Sequence, residues 1–121
     1  MGRPQLQLVT GLVAVALAVT ACKETTIDER PCPPEGTTLT YESFGKAFLD
    51  AHCQRCHGRT TSERNGAPSS FDFGTADAAR SHRARIFARA AADNVTMPPG
   101  PDDPPAEERE RLAEWLACGA P

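Results

Sequence analysis

Three stretches of this chain repeat apolar residues at helical spacing, and the segments between them are rich in Gly, Pro, Ser, Thr and Asn. In the first, Tyr41, Phe44, Phe48 and Ala51 share one face, which predicts a helix from Thr40 to just before Cys53. Thr40 is its N-cap, Glu42 sits in its positive first turn, and Leu39 and Phe44 occupy the positions of a hydrophobic staple. The second stretch carries Ala79, Ile86, Phe87, Ala90 and Ala91, predicting a helix from Thr75, its N-cap, to about Asn94. In the third, Leu112, Trp115 and Leu116 form an i, i+3, i+4 stripe. Asp103 is the expected N-cap, Pro104 the first helical position, and Gly119 the C-terminal cap. Strand-like alternation of useful length is missing from the sequence. The expected fold class is all-α, with about three helices.

The N-terminal stretch follows a different pattern. Arg3 gives a short positive start, and Leu8 to Val19 is an apolar run interrupted only by Thr10 and Gly11. That run is short for a membrane span and reads as a signal segment. It ends in Val19-Thr20-Ala21-Cys22, which resembles a bacterial lipobox, so residues 1–21 are read as leader and Cys22 as the lipidated first residue of the mature chain. Ordinary cleavage near Ala21, giving a soluble periplasmic protein, is the other reading. Residues 22–40, with Pro31, Pro33, Pro34 and Gly36, are expected to be a polar tether without helix or strand.

The chemistry is concentrated in Cys53-Gln54-Arg55-Cys56-His57. Two thiols one helical turn apart, followed directly by a histidine, form the C-x-x-C-H pattern of c-type haem attachment. Each thiol adds to one porphyrin vinyl group, and the histidine becomes the proximal iron ligand. A zinc ribbon would need a second cysteine pair, which Cys22, Cys32 and Cys118 do not form. A thioredoxin-like pair would follow a strand, and none precedes Cys53. From Tyr41 to Gly119 the order of features resembles a small monohaem cytochrome c of the class I type. The expected domain is therefore 41–121, folded around one haem c bound covalently through Cys53 and Cys56.

The resemblance implies more. Met97, in Met97-Pro98-Pro99, stands where many class I cytochromes carry the sixth ligand, and it is the only methionine left once the leader is gone. His57 and Met97 would then be the two iron ligands. The first and last helices of the family cross at a small residue, for which Gly45 is the candidate, and Trp115 is expected to pack against Phe44 or Phe48. Because haem is coupled to C-x-x-C-H outside the cytoplasmic membrane, motif and leader agree on export. Lys23 after Cys22 leans toward the outer membrane.

Charge and cysteine parity add detail. The formal net charge of −3 becomes −4 once Arg3 is removed, which argues against nucleic acid as a partner. From Cys53 to Met97, however, seven arginines face Glu63, Asp72, Asp77 and Asp93, a net of +3. Arg80, Arg83, Arg85 and Arg89 on the second helix form either a solvated face or a docking patch for an acidic redox protein. His52 and His82 read as surface residues. Of five cysteines, one is assigned to lipid and two to haem. In an oxidising compartment the remaining Cys32 and Cys118 are expected to pair as a disulfide.

The function expected is one-electron transfer by a membrane-tethered periplasmic cytochrome, and not enzymatic catalysis. The competing readings are a haem-based sensor or peroxidase-like enzyme with an open distal site, and a haem subunit of a larger dehydrogenase complex.

Overall fold

The computed structural model describes residues 1–2 and 23–121; the proposed signal segment and Cys22 lie outside the described residues. Among the described residues the regular structure is entirely helical, and no helix is long and apolar enough to cross a membrane. The α-helices are α1 (Lys46–His52), α2 (Gln54–His57), α3 (Ala76–Ser81), α4 (Arg83–Ala90) and α5 (Ala106–Ala117). They form the three helical blocks expected, two of them interrupted.

The first block opens with a wide turn over Tyr41–Gly45, in which the Lys46 N–H donates to Tyr41 O, five residues back. Thr40 caps it as expected, its hydroxyl accepting from Ser43 N–H. Phe44, Phe48 and Leu49 are buried from this block. α5 supplies Leu112, Ala113, Trp115 and Leu116 from the other side. Where the two blocks cross, a Cβ added to Gly45 would lie 2.6 Å from Cη2 and 2.9 Å from Cε2 of Trp115. Only glycine lets the indole approach this closely. Trp115 packs edge-on to Phe44, with centroids 6.2 Å apart.

Thr75 caps the second block, its side chain accepting from Ala78 N–H at 3.1 Å. The single helix expected from Thr75 to Asn94 is instead broken at His82 and ends at Ala90. The break has a tertiary cause: the His82 ring packs on Phe71 and Phe73, at 5.1 and 5.7 Å between centroids. His82 is thus half-buried, which corrects its reading as a surface histidine. The early end has another cause. Ala92 turns into the left-handed region (φ +52) and its N–H donates to Arg109 O, while Asn94 Nδ2 donates to Phe87 O at the helix terminus.

α5 begins later than expected. Pro104 precedes a second proline, which disfavours helical backbone, so Pro105 becomes the N-cap in place of Asp103. The far end matches: Gly119 adopts φ +96, its N–H bonds Leu116 O, and Ala120 N–H bonds Trp115 O. That pair of bonds is a Schellman closure.

The segment expected to be a featureless tether departs most. Ile27–Glu29 forms a 3-10 turn, capped by Thr26 and Glu29 reciprocally. Ile27 and Leu39 pack on the core. Arg30 pairs with Glu110, Thr37 Oγ1 donates to Glu114, and a disulfide joins Cys32 to Cys118 with Cα atoms 4.7 Å apart. The segment is a strap across α5, not a free linker. Of its anchors only the Cys32–Cys118 pairing was expected; the others are isolated residues, Ile27, Arg30, Thr37 and Leu39, spaced without period.

Candidate haem-attachment site

The C-x-x-C-H residues lie where α1 meets α2. Cys53 is the hinge between them, with its N–H on Leu49 O and its carbonyl accepting from His57 N–H at 2.9 Å. A one-turn helix thus holds Cys53 and Cys56 at i, i+3 on neighbouring positions. Among the described residues these are the free thiols. Cys53 packs against the core, and its burial pushes the thiol up to about 12, opposed by the nearby Arg109 charge. Asn65 Nδ2 lies 3.3 Å from Cys56 Sγ.

His57 is fixed from several directions. Its Nδ1 lies 2.8 Å from Phe71 O. A carbonyl can only accept, so Nδ1 carries the proton and the Nε2 lone pair is left for a metal. The ring stacks on Phe73 at 4.6 Å between centroids and 17° between planes. Phe73 N–H donates to His57 O, and Gln54 Nε2 donates to Phe73 O at 2.7 Å. Residues 54–57 and 71–73 therefore hold one another. Gln54 Oε1 is buried without a hydrogen-bond partner beside the motif.

The intervening loop is organised by Arg64, whose guanidinium donates to the carbonyls of Gly58, Ala67, Pro68 and Phe71. Neither this arginine nor the role of the Phe71 carbonyl as acceptor for His57 and Arg64 was legible in the sequence.

Two thiols at this spacing and an imidazole with a free Nε2 fit haem c in donor chemistry and in order along the chain. A model of one family, described as cytochrome c oxidase, cbb3-type, subunit III, matches residues 43–116. The chain belongs to this family. It carries a c-type cytochrome domain, the domain of haem-based electron transfer. No curated protein and no solved structure matches the chain.

Met97 lies in the loop between α4 and α5 and is 41% exposed. It is not a core methionine. Its N–H donates to Arg89 O at 2.8 Å, and its carbonyl accepts from Arg109 Nη1 at 2.8 Å. The neighbouring Asn94 is buried, and Val95 is 64% exposed.

The four arginines of the second block separate in the structure. Arg80 donates to Ala120 O and pairs with Asp77 at 2.7 Å. Arg89 pairs with Glu24 of the strap at 3.0 Å. Arg83 and Arg85 are exposed, with no ion pair among the described residues. His52, at the end of α1, is half-buried 3.3 Å from Glu108 and against Phe48, so it too is tied into the domain.

Proposed function

We propose that this cytochrome domain is a one-electron carrier with His57 and Met97 as the two iron ligands, attached to the bilayer through lipidated Cys22. The observation that carries the His57 assignment is its Nδ1 bond to Phe71 O, which leaves Nε2 as the only free nitrogen of that ring. Haem bound through Cys53 and Cys56 would supply a single redox-active iron, and a soft thioether from Met97 would favour its ferrous state. The chain's own work is to hold both ligands and to bring apolar walls, Phe71 and Phe73 among them, against the site. If His57 and Met97 both held the iron, it would have no open position for substrate, as electron transfer rather than peroxidase-like chemistry requires.

Anchoring at Cys22 would have a geometric consequence. A free tether from Cys22 to Thr40 could reach about 60 Å, but Thr25 is already bonded to the domain, leaving a reach of at most about 11 Å. The domain would ride close to the membrane rather than swing above it. The exposed pair Arg83 and Arg85 is the part of the basic patch left for an acidic redox partner.

The deciding experiment is the visible spectrum of protein made with a haem-maturation system, for wild type and Met97→Ala. A ferric near-infrared band of methionine ligation should be present in wild type and lost in the variant, with a lowered potential and ready cyanide binding. A variant matching wild type in band and potential would assign the sixth ligand elsewhere.

A further inference from the structure

Arg109 is a buried charge that electron transfer by itself does not require. It lies on the inner face of α5, 3% exposed, beside Leu112 and Ala113. A guanidinium in that position is costly unless acceptors surround it. Here the acceptors are backbone carbonyls. Nη1 reaches Ala90 O at 2.8 Å, Asn94 O at 3.2 Å and Met97 O at 2.8 Å. Nη2 reaches Asp103 at 3.4 Å. The three carbonyls span the turn from the end of α4 to Met97. The backbone of Arg109 grips the same turn, its carbonyl accepting from Ala92 N–H at 3.0 Å.

Met97 is therefore held on both sides of its Cα, by Arg89 O on its N–H and by Arg109 on its carbonyl. Its side chain is left outward from the core. We propose that Arg109 is a positioning residue that presents the Met97 thioether to the haem iron. The inference rests on the reading of Met97 as sixth ligand. A neutral thioether is a weak ligand, so the occupancy of its bond depends on how little ordering the loop must undergo to make it. Releasing three carbonyls from one guanidinium would let the loop open and let water or an added anion compete. Lysine is a poor substitute, because its ammonium stops one bond short of Nη1, where the three carbonyls converge, and it has no second nitrogen to stay with Asp103.

The test uses haem-loaded wild type, Arg109→Lys, Arg109→Met, Met97→Ala and the double variant Arg109→Lys with Met97→Ala. If wild type lacks the near-infrared methionine band, the ligand reading itself fails and the proposal falls with it. If the band is present, Arg109→Lys should lose it at lower pH than wild type and bind cyanide on the order of tenfold faster. Its Soret band and helical circular dichroism should be unchanged. On the Met97→Ala background the lysine substitution should add no further acceleration, because the ligand it positions is gone. Should Arg109→Met yield no haem-loaded protein, the lysine variant, which keeps the charge and most of the volume, decides. Variants that unfold at lower urea but keep the wild-type band and cyanide rate would assign Arg109 a purely structural role and overturn the proposal.

Discussion

Thr25 and Asn94 are paired in both directions: Thr25 N–H donates to Asn94 Oδ1 at 3.0 Å, and Asn94 Nδ2 donates to Thr25 O at 2.7 Å. The same amide nitrogen caps Phe87 O at 2.9 Å. One buried side chain thus joins the start of the strap, the end of α4 and the loop that carries Met97. Asn94→Ala should remove all three bonds, costing roughly 1–3 kcal/mol for the buried groups left unpaired. The urea midpoint of the haem-loaded protein reads that cost. Trypsin cleavage after Lys23, followed by mass spectrometry, reads the strap directly and should become faster. An unchanged cleavage rate would mean that the strap is held by its other anchors.

The crossing of the first and last helical blocks predicts a sharper effect. Gly45→Ala places a methyl group against the Trp115 indole, which is fully buried and has no room to retreat. Overpacking of this kind typically costs about 1–3 kcal/mol. The midpoint of thermal unfolding should fall, while the haem spectrum stays that of wild type because Cys53, Cys56 and His57 are untouched. A neutral Gly45→Ala would show that the helices part at little cost.

How much of this was readable from the sequence depends on the range of the interaction. The helical blocks, the caps at Thr40 and Thr75 and the closure at Gly119 follow from residues within one or two turns, and patterning finds them. The attachment motif is also local. The break at His82 could not be read, because its cause lies in Phe71 and Phe73 of another segment. Arg64, Asn94 and Arg109 escaped for a related reason. Each is a polar residue whose partners are mainly backbone groups, and backbone groups leave no mark in a side-chain pattern. The strap is the largest departure: cysteine parity pointed to its bond at Cys32, but the rest of a proline-containing polar stretch looks the same whether it is free or fastened.

Acid should loosen that strap. The Glu29 carboxyl is lowered from 4.5 to about 2, first by the Lys23 ammonium and then by the Thr26 N–H and hydroxyl. A depressed carboxyl contributes stability above its unfolded value, and loses it as pH falls through the folded one. The contribution of Glu29 is therefore complete above pH 4.5 and fades toward pH 2. Because the group is exposed, the effect is confined to the turn and weakened by salt. A carboxyl NMR titration should show Glu29 protonating well below 4.5, and Lys23→Ala should move it back upward. A titration at the ordinary value in wild type would dissolve the Lys23–Glu29–Thr26 arrangement in solution.

The disulfide between Cys32 and Cys118 closes a long loop, 86 residues in sequence separation. Chain entropy alone would give such a bond about 4 to 5 kcal/mol, and less here because thioether bonds to haem already restrict the unfolded chain. Replacing both cysteines with serine should lower the urea midpoint and free the strap from the end of α5. Alkylation of the denatured, unreduced protein provides the direct check: neither Cys32 nor Cys118 should be labelled, and both should be labelled after reduction. Labelling without reduction would remove the bond.

The last prediction separates steering from structure on the second helical block. Arg80 and Arg89 are engaged with Asp77, Ala120 and Glu24, whereas Arg83 and Arg85 are exposed without such partners among the described residues. Reversing the charge of Arg83 and Arg85 together should leave stability nearly unchanged, since substitutions at exposed, unpaired positions rarely exceed about 0.5 kcal/mol. It should slow reaction of the reduced protein with an anionic oxidant such as ferricyanide, and hasten reaction with a cationic cobalt complex. Both changes should shrink as ionic strength rises toward 0.15 M, where the screening length is about 8 Å. Arg89→Glu should behave in the opposite way: it places two carboxylates together at Glu24, so its main effect should be a lower urea midpoint. Equal kinetic effects from both variants would mean that only net charge matters. No effect of either variant on the ferricyanide rate would leave this face as a solvated surface with no part in docking.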